Sequence, residues 1–356
     1  MKRYSRKKST LQKIPPSFLL LGIPLLAIFL LVVLRLTGRL DFSSSAAAPR
    51  VNAELWVQDS NSGESGGVLL DFKQQFEQPE LWAAARQNID VYQFHDFLFM
   101  DPKYGIDETY IREKMLPVLN ESGIKIALNV TGANWAKCDD RDQIKYKEAE
   151  AIDRIIAAGG AVSFLTMQST LSKTEGGNSV TLNRCSPYPD KRRIDDIIDY
   201  MQFMKKRYPN MQFGMTDADA TKGNDYKTSL HELRKRLGNH GLHLNYIFID
   251  NIAEFLSKND PKDLKDLEQF IRQDLNIPFG LVYTADKDIT KSNAAYHTRV
   301  LRRYTEYFKA GGRPNNYLVT SWFRFPTRYL PDNDPREYTL MRTAAALGNR
   351  IRGTGD

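Results

Sequence analysis

From Ala53 onward the hydrophobic positions gather into eight short runs, and between them lie longer stretches whose apolar residues recur at helical spacing. The runs predict strands at Glu54–Gln58, Ile89–His95, Ile124–Asn129, Ala161–Gln168, Met211–Thr216, Leu244–Asp250, Pro278–Thr284 and Tyr317–Trp322. Helices are predicted at Glu108–Glu121, Tyr146–Ala158, Arg193–Arg207, Lys227–Leu237, Lys262–Leu275 and Tyr296–Ala310. Several end on glycine, at Gly123, Gly159-Gly160 and Gly311-Gly312, where a residue free to take positive φ closes a helix. Eight strands alternating with helices predict an α/β fold, a (β/α)8 (TIM) barrel, over residues 53–352. An open doubly wound sheet alternates in the same way. It would normally carry a glycine-rich phosphate loop after its first strand, and no GxGxxG or GxxxxGK[ST] pattern follows any strand here.

The pattern ahead of the barrel is different. Phe18 to Leu34 carries no charge and, with its flanks, is long enough to cross a hydrocarbon core of about 30 Å at roughly 1.5 Å per residue. We therefore expect a cytoplasmic basic tail at 1–17, a single transmembrane signal anchor at 18–37 and a Ser/Ala-rich linker at 38–52. Six basic residues precede the apolar run and outweigh Arg35 and Arg39 behind it, so the positive-inside bias puts the N-terminus in the cytoplasm and the barrel outside. A cleaved signal peptide is the rival, with Ala46-Ala47-Ala48 as its cleavage site, although the apolar core exceeds the usual length of about 7–15 residues.

Charge sharpens this division. The chain totals +7, but residues 1–50 hold nine basic residues against Asp41 alone, a net of +8 that leaves −1 for the rest. A near-neutral barrel lacks the clustered basic face that a phosphate backbone requires, so nucleic acid is not an expected partner. The two cysteines, Cys138 and Cys185, fall after the third and fourth strands, in loops that neighbour each other on one face of a barrel. Outside the cytosol a disulfide between them is expected. Two thiols and no finger-like histidine pair supply no zinc site, and neither a metal nor another cofactor is expected.

A barrel of this kind carries its chemistry at the C-terminal ends of the strands. Those ends hold His95-Asp96, Asn129, Gln168, Asp217-Ala218-Asp219, Asp250 with Glu254 beyond it, Asp286 and Trp322. Carboxylates dominate, and paired carboxyl groups about 5–9.5 Å apart are what glycosidic bond cleavage uses. Asp217 and Asp250 form the favoured catalytic pair. Asp250 follows Tyr246 and Phe248 at alternate positions, which would set all three on the barrel-facing side. Each residue also has a structural role open to it: Asp217 and Asp219 as caps, Glu254 and Asp286 as surface charges, His95 as an ordinary half-buried histidine. Trp135, Tyr283 and Trp322 offer flat apolar faces for a sugar ring, or simply pack in the core. Arg324 can pair with an acidic sugar or a site carboxylate. The expected substrate-contacting set is thus His95, Asp96, Asn129, Trp135, Gln168, Asp219, Glu254, Tyr283, Asp286, Trp322 and Arg324. No lysine ends a strand, which removes Schiff-base chemistry, and there is no G-x-S-x-G elbow.

With these residues the domain resembles a glycoside-hydrolase-type (β/α)8 barrel anchored to a membrane. The resemblance implies hydrolysis of a polysaccharide or glycoconjugate by acid/base catalysis. It departs from the large group of retaining glycosidases with a Glu after strands four and seven, because Thr166-Met167-Gln168 and Thr284-Ala285-Asp286 stand there. The chitinase-like DxxDxDxE pattern is absent after strand four. Two alternatives stay open: a barrel without catalysis that binds glycan or supports cell-surface polysaccharide assembly, and an unrelated hydrolase or lyase built on His95-Asp96.

Overall fold

A computed structural model of the chain describes residues 53–59, 68–132, 141–171, 190–217, 224–250, 261–284 and 290–353. Eight parallel strands close into a barrel in sequence order. They are β1 (Glu54–Gln58), β2 (Val91–His95), β3 (Lys125–Val130), β4 (Val162–Gln168), β5 (Gln212–Asp217), β6 (Tyr246–Ile249), β7 (Phe279–Tyr283) and β8 (Asn316–Val319). Each lies within two or three residues of its expected place. The long helices Arg141–Ala157, Asp190–Arg207, Asn224–Asn239 and Asn293–Lys309 follow β3, β4, β5 and β7. Residues 108–121 form one helical stretch whose middle, Ile111–Met115, is a π turn. Among the described residues no helix is long and apolar enough to cross a membrane; residues 18–37 lie outside them.

The strands are buried on both faces, so both sides of each are apolar. One side packs under the helices, through residues such as Leu55, Phe94, Leu128, Met215, Ile249 and Tyr317. The other fills the barrel interior, where Trp56, Phe164, Tyr246 and Phe248 make an aromatic plug with Val91, Ala127, Val282 and Leu318 around it. The Trp56 ring lies 4.9 Å from both Phe164 and Tyr246 and 5.2 Å from Phe248. Such rings fit because the strands facing them carry glycine. A Cβ on Gly214 would lie 2.0 Å from the Tyr246 ring, and one on Gly280 would lie 2.4 Å from Phe248. Large residues on β4 and β6 thus alternate with glycine positions on β5 and β7, and the rings fill the space the missing side chains leave.

Candidate functional site: the barrel mouth

Alternation along each strand fixes what stands one step above the plug. The inward positions at the C-terminal ends are Gln58, His95, Asn129, Gln168, Thr216, Asp250, Thr284 and Thr320, one from each strand in order, and all are polar. Backbone bonds carry the ladder past the strand ends: Asp250 N–H donates to the Asp217 carbonyl at 2.9 Å and Thr320 N–H to that of Tyr283 at 3.1 Å. The mouth is therefore a polar ring above an aromatic floor, with Asp250 as the one carboxylate among its eight positions.

On one side the ring is tied into a buried hydrogen-bond chain. Tyr246 and Thr166 share a bond of 2.7 Å, Thr166 donates to Gln93 Oε1, and Gln93 Nε2 donates to Gln58 Oε1 at 2.7 Å. That leaves Gln58 Nε2 as a donor, 3.0 Å from His95 Nε2. His95 Nε2 must then accept, so the proton sits on Nδ1, 2.8 Å from Asp59 Oδ2. Asp59 is wholly buried, and its second oxygen accepts the His95 backbone N–H at 2.8 Å. Burial pulls the His95 imidazole down, but the charge and hydrogen bond of Asp59, with Asp96 nearby, outweigh it and leave the ring raised above its ordinary range.

Asp96 lies behind the ring. It is the first residue past β2, in a helical turn, is 6% exposed, and feels the buried Glu148 of the helix Arg141–Ala157. Burial first and the Glu148 charge second push its carboxyl up to about 7. Glu148 is raised too, chiefly by burial, although Thr131 Oγ1 at 2.8 Å, Gly132 N–H at 2.9 Å and the Tyr200 hydroxyl at 2.6 Å all donate to it. Asp96, expected among the substrate-contacting residues, thus lies buried within reach of the Glu148 charge.

The favoured acid pair separates in the same way. On β5, Gly214 and Thr216 face the interior, so Asp217 faces the helices with Phe213 and Met215. Its carboxylate is fully buried and accepts from the Leu171 N–H and from the Tyr226 hydroxyl, both at 3.1 Å. It braces the turn after β4 against the helix Asn224–Asn239. Asp217 and Asp250 are neighbours through the backbone, with side chains on opposite faces. Tyr283 is likewise turned outward, stacked on Tyr317 with centroids 5.9 Å apart, and is a core residue where a sugar contact was expected.

Trp322 sits at the rim, half-buried, packed on the interior plug. Arg324 is exposed with its guanidinium 5.5 Å from the Phe325 ring. Asn129 and Gln168, expected among the substrate-contacting residues, occupy ring positions. Trp135, Cys138, Cys185, Asp219, Glu254 and Asp286 lie outside the described residues. Sequence reading missed Asp59, Gln58, Gln93, Thr166 and Glu148; the signal available was that two residues past Trp56 and Val91, on the same side, the chain turns to glutamine. Among the described residues no cluster of three or more His, Cys, Asp or Glu is arranged to hold a metal ion.

The chain is therefore a closed (β/α)8 barrel with a polar mouth over an aromatic plug. No known protein family matches the sequence, and no curated protein does. Solved structures similar to it include a psychrophilic glycoside hydrolase family 10 endo-β-1,4-xylanase, with TM-score 0.48 and 12% identity over 76% of this chain and 86% of that one. An intracellular xylanase from Thermoanaerobacterium saccharolyticum in complex with xylotriose gives 0.47 and 11%, over 77% and 86% of the two chains. A thermostable xylanase mutant from Cellvibrio japonicus gives 0.47 and 14%, over 76% and 87%. These are similarities of barrel architecture at low sequence identity.

Proposed function

We propose that the chain is a membrane-tethered, extracytoplasmic barrel that acts on a polysaccharide or glycoconjugate at the mouth just described. The observation that carries this reading is the polar ring, with every strand contributing a hydrogen-bonding side chain above a floor of rings. A sugar presents hydroxyl groups in many directions and apolar C–H faces between them, and such a lining answers both needs. Asp250 is the carboxylate assigned to the chemistry. Hydrolysis requires a second carboxyl group within about 5–9.5 Å. With Asp217 turned away, the sequence offers Asp219, Glu254 and Asp286 for that part. Trp322 at the rim serves as a stacking platform. The tether rests on the uncharged run Phe18–Leu34 and the basic residues before it.

The outward turn of Asp217 favours a second reading, a barrel that binds glycan without cleaving it. Release of reducing ends from a panel of surface polysaccharides, measured beside binding to the same panel, separates the two. Turnover by wild type that falls roughly 10²–10⁴-fold in Asp250→Asn supports hydrolysis. Binding without turnover supports the second reading. Full turnover and binding in Asp250→Asn would remove Asp250 from the site. Extraction of the full chain with the membrane fraction only by detergent tests the tether.

A further inference from the structure

Among the described residues, part of the mouth ring has no hydrogen-bond partner. Asn129 Oδ1, Thr216 Oγ1, Thr284 Oγ1 and Thr320 Oγ1 are buried without a hydrogen bond, as is Trp322 Nε1. The four ring residues are each at most 6% exposed. They come from β3, β5, β7 and β8 and surround the mouth, whereas Gln58 and His95 are already occupied by the chain that runs to Tyr246. A buried polar atom left unpaired is costly, and native proteins leave very few. Here several stand together at a single level of the barrel, which is what a site looks like when its hydrogen bonds are reserved for a ligand.

The character of these groups selects the ligand. Threonine hydroxyls both donate and accept, the amide oxygen accepts and the indole N–H donates, so every unpartnered atom suits an uncharged hydroxyl. The ring holds no lysine or arginine. Its carboxylate is Asp250, and its one group able to carry positive charge, His95, is already paired with the Asp59 carboxylate beneath it. Arg303 approaches from the helix side, donating to the Thr284 carbonyl, and Arg324 is exposed beyond the rim. A uronate, sialate or sulfate placed among these groups would be a buried anion beside carboxylates and without the fork of donors it needs. We infer that the mouth takes an uncharged sugar residue, with Thr216, Thr284, Thr320 and Asn129 setting its specificity. This inference rests on the glycan reading and narrows it.

The test uses the full chain and the variants Thr216→Val, Thr284→Val and Thr320→Val, which remove a hydroxyl at nearly constant volume. Binding is measured to neutral tetrasaccharides (xylo-, cello- and manno-) and to tetragalacturonate, and each free protein is melted. Neutral ligands should bind wild type and lose roughly five- to thirtyfold per variant. Because valine removes an unpaired buried hydroxyl, the variants should melt at or above the wild-type temperature. Unchanged neutral binding with lower melting temperatures would mean that the hydroxyls serve structural water, and would overturn the inference while leaving the glycan reading intact. Binding of tetragalacturonate in preference to the neutral sugars would overturn it as well. If wild type binds no saccharide, the glycan reading falls and this inference with it.

Discussion

Asp59 grips His95 with both carboxylate oxygens, one on the backbone N–H and one on Nδ1, each at 2.8 Å. The first bond takes the place of the next rung of the β1–β2 ladder, and the second fixes the tautomer. His95 therefore presents Nε2 as an acceptor, and the amides of Gln58 and Gln93 point accordingly. A second proton on His95 would set Nε2–H against the Gln58 amide donors. Gln58 would have to turn over, and then Gln93 and Thr166 with it. Asp59→Asn removes the charge that raises His95, so its imidazole should titrate at lower pH than in wild type. Nitrogen chemical shifts of His95 across pH 5–9 check this; an unchanged midpoint would show that Asp59 does not govern the ring.

Asp217 and Asp250 should behave as opposites. Truncating Asp217 to alanine removes the carboxylate that accepts from the Leu171 N–H and the Tyr226 hydroxyl in a buried place, at about 1–3 kcal/mol each. The expected loss is roughly 2–6 kcal/mol of stability, seen as a lower denaturant midpoint. Asp250→Asn, a change of nearly constant shape at the mouth, should lower that midpoint less. Equal stability of the two variants would contradict the bracing role given to Asp217.

The barrel was legible in the sequence because eight apolar runs and their helical spacers have different periods, and only strand boundaries moved. Strand parity was less legible. In a parallel barrel both faces of a strand are apolar, so the run Phe213-Gly214-Met215-Thr216-Asp217 does not reveal which side is the interior. Asp250 could be placed because two aromatics, Tyr246 and Phe248, lead to it on one face. Asp217 had no such guide, and the decisive clue, that Gly214 leaves room for Tyr246, is a contact between strands. Asp59 reads as the first residue of a Ser/Gly-rich loop. Glu148 reads as one charge among many on a helix, because Thr131, Gly132 and Tyr200 meet it only in space.

The carboxyl pair behind β2 gives the fold a pH dependence of definite sign. Asp96 is raised from 3.8 to about 7, so the folded state holds a proton that the unfolded chain has released. Its contribution is fully present below about pH 4 and is lost as the pH rises through about 7. His95, also raised, acts in the same direction from about 6.5 upward. Asp96→Asn should flatten the fall in melting temperature between pH 5 and 8. Parallel curves for wild type and variant would show that Asp96 holds no such proton.

The last prediction concerns the plug on which the mouth rests. Gly214 on β5 stands opposite Tyr246 on β6, and an added methyl would lie 2.0 Å from the ring, well inside any tolerable contact. Tyr246 cannot simply swing aside, since its ring is hemmed by Trp56 and Phe164 and its hydroxyl is held by Thr166. Gly214→Ala should therefore cost roughly 1–3 kcal/mol, the usual range for overpacking a closed core. It should also break the Tyr246–Thr166 bond and so loosen the chain that ends at His95. Tyr246→Phe removes the same hydroxyl without the clash. If the two variants shift the His95 titration alike while only Gly214→Ala lowers the melting temperature, the plug and the mouth are coupled through that hydroxyl; if neither shifts it, the chain is a set of independent bonds.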